Sequence, residues 1–130
     1  MSLSPFTITS EDSLKTAIDL LQKRNIRELP VVDEGGLVGI VTDRDLREIS
    51  PSYPVFRDLE EIGYYLQSLK VSSAMTVDPV VTTPDTPLVE AARILQTYRF
   101  GSLPVVDKGR LVGLISATDV LAAFIEQNEN

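Results

Sequence analysis

The stretch LPVVDEGGLVGIVTDRD at residues 29–45 returns 74 positions later as LPVVDKGRLVGLISATD at 103–119. Carried outward, the same offset aligns residues 5–46 with 79–120, and 16 of those 42 positions are identical. A match of that length covers a whole supersecondary unit, so the chain is constrained to fold as two similar halves. With 130 residues it can bury roughly two-thirds of its unfolded surface, as one domain or as two small units sharing a core.

Each copy parses in the same way. A short extended lead-in, Phe6 to Thr9 or Val80 to Thr83, is followed by Ser, Asp, Thr and Pro residues that start a helix. Its apolar positions then fall at i, i+3, i+4 and i+7: Leu14, Ala17, Ile18 and Leu21 in one copy, Leu88, Ala91, Ala92 and Leu95 in the other. LPVVD and LVGIV (or LVGLI) are rich in β-branched residues, and the turn residues DEGG or DKGR join them as a β-hairpin. A second helix opens at Thr42 or Ser116 and runs to about Ser50 or Gln127. The unit is β-α-β-β-α and the fold class α+β. Strands too apolar to alternate need helices over them, so each unit leaves a surface that its twin can bury.

The organisation along the chain is a first repeat at 1–50, a connector at 51–74 and a second repeat at 75–130. Pro51 and Pro54 interrupt the last helix of the first copy. RDLEEIGYYLQSLK restores helical periodicity and predicts a helix at about 57–70, with Leu59, Ile62, Leu66 and Leu69 on one packing stripe. Tyr64 and Tyr65 are alternative contacts for a partner chain. Subtracting 74 sets Met1 opposite Met75, so the first copy has no counterpart of VSSA at 71–74. A trimmed chain or a degenerate first site would each produce that.

Composition narrows the chemistry. The chain has no cysteine and no histidine, which removes thiolate nucleophiles, Ser-His relays, most zinc sites and the usual near-neutral proton shuttle. A non-enzymatic role is expected. The net charge of −7 disfavours nucleic acid as a partner, because that affinity comes from Lys and Arg neutralising phosphates. Uninterrupted apolar runs stay far short of the ~20 residues a membrane helix needs. The opening MSLSPFTITSED lacks the basic start and apolar core of a signal peptide, so a cytoplasmic location is expected.

The candidate chemistry sits at two junctions, Gly39 to Asp45 (GIVTDRD) and Gly113 to Asp119 (GLISATD). Glycine permits close approach of a ligand, and the hydroxyl of Thr42 or Ser116 at a helix start can donate to a phosphate. Asp45 or Asp119, one turn later, can accept from two vicinal hydroxyls. The same spacing is also a capping box, in which these four residues merely satisfy backbone donors. The two roles are compatible.

Two copies of x-LPVVD-x-G-x-LVG-h-h-[TS]-x-x-D at this spacing, the second preceded by AMTVDPVVTTPDTPLVEA, resemble a tandem CBS domain pair, or Bateman module, over nearly the whole chain. TDRDLREISPS, a connecting helix and KVSSAMT further resemble small bacterial two-CBS proteins of the acetoin-utilisation accessory type. The resemblance implies two β-α-β-β-α repeats packed with pseudo-twofold symmetry, commonly as a homodimer. It also implies a non-catalytic regulatory module that binds adenosine-containing ligands (AMP, ADP, ATP or S-adenosylmethionine) in clefts between the repeats. Such a module reports to a regulated protein, here unknown, and magnesium would enter only with ATP. A ligand-free pair acting as a dimerisation scaffold is the alternative. The family's ribose-binding motif corresponds to Gly39–Asp45 and Gly113–Asp119. Its base-contacting lead-in corresponds to the backbone near Phe6 and Val80 and to residues near Met75.

The copies differ around this motif. Arg27 stands where the family often places a phosphate-contacting basic residue, and the second copy has Gly101 there; Arg44 likewise faces Thr118. Arg27 is therefore the first candidate for the phosphate charge, a solvated surface Arg being its alternative, and Glu28 beside it works against that charge. Gly101 and Ser102 imply a less charged pocket, suited to adenine contacts or to an empty site.

Overall fold

A computed structural model describes residues 5–49 and 59–129. The chain forms two compact units, one from Phe6 to Pro79 and one that begins at Val80. The first holds α1 (Leu14–Arg24), β1 (Glu28–Asp33), β2 (Gly36–Thr42), α2 (Asp43–Ile49), α3 (Leu59–Ser68), a 3-10 turn at Val71–Ser73 and a short strand, β3 (Thr76–Val77). The second holds α4 (Leu88–Tyr98), β4 (Ser102–Asp107), β5 (Arg110–Ser116) and α5 (Ala117–Asn128). The fold class is α+β, as expected. Among the described residues no helix is long and apolar enough to cross a membrane.

The hairpins form where the turn chemistry demands them. Pairing of Asp33 with Gly36 and of Asp107 with Arg110 leaves the two-residue loops Glu34-Gly35 and Lys108-Gly109. All four loop residues have positive φ, the type I′ geometry whose twist matches that of the flanking strands. In both hairpins the register slips by one residue, between Val31 and Val32 and between Val105 and Val106, so Val38 and Val112 are bulged. Pro30 and Pro104 occupy strand positions without an N–H to give. The lead-ins are arranged around that lack: Ile8 N–H donates to the Pro30 carbonyl and Val32 N–H to the Ile8 carbonyl, and Thr82 is held in the same way by Pro104 and Val106. Each expected extended lead-in is thus a single parallel bridge.

The first unit is closed by its connector. Ser13 caps α1, its Oγ accepting from Thr16 N–H at 3.1 Å, and the helix ends at Asn25 in the left-handed region. The connector helix ends at Ser68, short of the expected residue 70. Leu69 and Lys70 instead turn back along the start of α1, where Leu14 N–H donates to the Leu69 carbonyl at 2.9 Å and Val71 N–H to the Asp12 carbonyl at 2.8 Å. Leu66 is buried and Ile62 and Leu69 pack against the core, as the stripe predicts, while Tyr64 and Tyr65 are exposed. Residues 57 and 58, together with Ser50, Pro51 and Pro54, lie outside the described residues.

The two repeats are unequal in burial. Leu14, Val41 and Leu46 are buried in the first unit, whereas their counterparts Leu88, Ile115 and Val120 are only half-buried. α5 buries none of its residues and exposes Leu121, Phe124 and Ile125. By the repeat offset residues 75–79 introduce the second copy, yet they fold with the first. β3 runs antiparallel to β2, pairing Thr76 with Ile40 and Val77 with Gly39, a strand that the sequence pattern does not predict.

Candidate functional site

Both junctions close in the same way. Thr42 Oγ1 accepts from Asp45 N–H at 3.1 Å while Asp45 Oδ2 accepts from Thr42 N–H at 3.0 Å. Ser116 Oγ accepts from Asp119 N–H at 3.0 Å and Asp119 Oδ2 from Ser116 N–H at 2.8 Å. These are reciprocal capping boxes, so the structural role of all four residues is realised. A further bond anchors each helix start: Asp43 N–H donates to the Arg27 carbonyl at 2.8 Å, and Ala117 N–H to the Gly101 carbonyl at 3.0 Å.

What remains for a ligand can be counted by valence. The boxes use one oxygen of each carboxylate and the acceptor side of each hydroxyl. The second oxygen of Asp45 and Asp119 and the hydroxyl protons of Thr42 and Ser116 have no partner among the described residues. All four residues are half-exposed. Each junction therefore offers one donor and one anionic acceptor a turn apart, enough to hold a phosphate or hydroxyl together with a diol.

Gly39 is small for a different reason from the one its motif implies. A Cβ there would stand 2.8 Å from the Thr76 carbonyl oxygen and 2.9 Å from Met75 Sδ, so the group approaching it closely is the chain itself. Gly113, its counterpart on β5, is also buried. Phe6 is exposed and carries the Arg24 guanidinium 4.5 Å above its ring, and Val80 is half-buried. Ser102 is buried at the start of β4, opposite Ser116, and Gly101 before it is exposed.

Arg27 lies with other residues than the sequence suggests. It lines a groove of about 420 Å³ between α1 and α2, together with Asp43, Leu46 and Arg47; neither Thr42 nor Asp45 lines it. Arg44 is exposed on α2 and pairs with Glu48 at 3.6 Å. Sequence comparison missed Arg47 and Asp43 because it weighed only motif positions. The i, i+4 spacing of these two residues, recorded by their 4.0 Å ion pair, is the signal that would have found them.

One carboxyl in the first unit is perturbed. Asp33 is held below its ordinary value of 3.8 by a hydrogen bond from Ser10 Oγ at 2.5 Å and a second from Ser10 N–H at 3.0 Å. The second copy has Pro84 in place of Ser10 and cannot make this pair. Among the described residues no cluster of three or more Asp, Glu, His or Cys side chains could hold a metal ion.

Comparison with known proteins gives this geometry a context. The family model "CBS domain" matches residues 1–52 and again 71–126. The chain is 41% identical over 128 residues to a CBS domain-containing protein of Dictyostelium discoideum, covering 97% of this chain and 88% of that protein. It is 37% identical to the inosine-5′-monophosphate dehydrogenase of Aquifex aeolicus, covering 93% of this chain but only 23% of the enzyme. Among solved structures it is similar to CBSX2 in complex with AMP, with a TM-score of 0.80, 30% identity and coverage of 97% of this chain and 91% of that one. A CBS domain pair of the protein MJ0100, in complex with 5′-methylthioadenosine and S-adenosyl-L-methionine, gives 0.75 and 28%, covering 98% and 94%. A putative acetoin utilization protein from Vibrio cholerae gives 0.79 and 29%, covering 100% and 94%.

Proposed function

The chain belongs to the CBS domain family as a tandem pair, and from that premise we propose that it is a non-catalytic regulatory module that senses an adenosine-containing ligand. The observation that carries this reading is the doubled junction. Two segments separated by 74 residues close with the same pair of reciprocal hydrogen bonds and leave the same two groups, a hydroxyl proton and a carboxylate oxygen, without a partner among the described residues. In this reading Asp45 and Asp119 accept from ribose hydroxyls, and Thr42 and Ser116 donate to the phosphate or its equivalent. The AMP complex of CBSX2 and the S-adenosyl-L-methionine complex of MJ0100 favour ligands of this class.

A thermal-shift panel of AMP, ADP, ATP, S-adenosylmethionine and NAD tests the proposal. A ligand at 100 times its dissociation constant adds about 2.7 kcal/mol to stability, which is a shift of several degrees for a chain of this size. Asp45→Asn and Asp119→Asn should reduce that shift while the folded far-UV spectrum is retained. No shift with any of the five ligands would remove the sensing function.

A second reading, a ligand-free pair that serves as a dimerisation scaffold, is favoured by one observation. α5 exposes Leu121, Phe124 and Ile125 on a helix with no buried residue, a face suited to contact with another chain. Light scattering tests it: a homodimer at micromolar concentration that Phe124→Glu dissociates supports the scaffold, and a monomer excludes it.

A further inference from the structure

We propose that Met75 is a redox-sensitive latch: its thioether holds β3 against β2, and oxidation of that sulfur to the sulfoxide by a hydroperoxide releases residues 74–79 from the first unit. The chain has no cysteine, and its other methionine is Met1, so Met75 is its one internal sulfur. The side chain is half-buried: it packs against the core of the first unit while part of it stays open to solvent, where a peroxide can reach it.

The latch follows from what holds β3 in place. Thr76 and Val77, its two residues, are both exposed, Val77 by 60%, so the strand has no buried side chain of its own. It has the backbone pairing of Thr76 with Ile40 and Val77 with Gly39, and the Met75 side chain just before it. That side chain meets Gly39 with no slack, since a Cβ there would stand 2.9 Å from Sδ and 3.3 Å from Cγ. Upstream the chain is firmly tied: Val71 is fully buried, and its N–H donates to the Asp12 carbonyl at 2.8 Å. Release therefore stops at the turn Val71–Ser73, and the body of the unit stays folded.

The chemistry balances with the peroxide as sole co-reactant. The sulfur attacks one peroxide oxygen, an S–O bond forms as the O–O bond breaks, and the proton of the transferred hydroxyl leaves with the departing hydroxide as water. The sulfur loses the two electrons that the peroxide gains. The product places a polar oxygen in a contact already closed, and the nearest polar group there is the Thr76 carbonyl oxygen, 2.8 Å from the same Cβ position. Both oxygens are acceptors, so no hydrogen bond between them offsets the cost of burying the sulfoxide. A two-residue strand has little to set against that cost, and it detaches. The latch needs no ligand at the Thr42–Asp45 junction.

Hydrogen peroxide is the probe, applied to the full chain and to Met75→Leu, a swap that keeps the volume and removes the sulfur. Peptide mass mapping should show one added oxygen at Met75. Hydrogen exchange across residues 74–79 should then become at least about tenfold faster, with α1 and β1 unchanged. Methionine sulfoxide reductases with a thiol reductant should restore the slow exchange. Met75→Leu should exchange as the reduced native chain does, before and after peroxide. A Met75 that resists oxidation while Met1 is converted, an oxidised chain with unchanged exchange at 74–79, or an equal response in Met75→Leu would each overturn the proposal.

Discussion

Ser10 gives Asp33 two hydrogen bonds, from its hydroxyl at 2.5 Å and its N–H at 3.0 Å, and so ties the lead-in before α1 to the end of β1. Both bonds favour the ionised carboxylate, which is why it titrates below 3.8. The folded value lies below the unfolded one, so the stabilisation is present above the unfolded value and is lost as pH falls through the folded one. Thermal midpoints measured downward from about pH 5 should therefore fall more steeply for the native chain than for Asp33→Asn or Ser10→Ala. Parallel curves would show that the pair contributes nothing to acid sensitivity.

Two glycines should fail for different reasons when given a side chain. Gly39→Ala drives a methyl group against the Thr76 carbonyl and Met75, and should cost about 2 kcal/mol by displacing β3. Gly109→Ala meets nothing within 4 Å, so only the strain of its φ of +82 counts, roughly 1 kcal/mol. Urea denaturation separates them, and a larger loss at Gly109 would contradict the close approach assigned to Gly39.

The connector's cover over α1 predicts an asymmetry between equivalent leucines. Leu14 is fully buried and Leu88 is not. Leu14→Ala should cost about 3 kcal/mol, and Leu88→Ala about 1 kcal/mol, because a half-exposed site leaves little cavity. Equal losses in denaturant would mean that the α3 cover adds nothing at this position.

Thr82 occupies the position of Ile8 and, like it, is buried, but its Oγ1 has no hydrogen-bond partner among the described residues. An unsatisfied buried hydroxyl carries a desolvation cost that an isosteric methyl group removes. Thr82→Val should therefore raise stability, by roughly 1 kcal/mol, in the same denaturation assay. A loss of stability would reveal a partner for that hydroxyl.

The hairpins, both long helices of each repeat and the capping boxes were legible because their signals are local. DEGG and DKGR carry the type I′ loop, and Thr42 with Asp45 and Ser116 with Asp119 carry the boxes in four residues each. The fold of the repeat was legible from its recurrence. What escaped depends on approach between segments distant in sequence. The reason for Gly39 lies at Met75 and Thr76, and the groove at Arg27 needs a helix face that a linear motif does not show. The left-handed ends of α1 and α4, at Asn25 and Arg99, were also silent, since only one of them is a residue that favours that geometry.

The position of β3 puts the seam of the duplication and the seam of the folded body out of step. The sequence repeats from about residue 79, but Met75, Thr76 and Val77 are used up by the first body, where they fill the notch above Gly39. An engineer who excised the first repeat at its last aligned residue, Leu46, would discard its third strand, its connector helix and the lid on Leu14. A fragment carried through Pro79 keeps all three, and is the piece with a chance of standing alone.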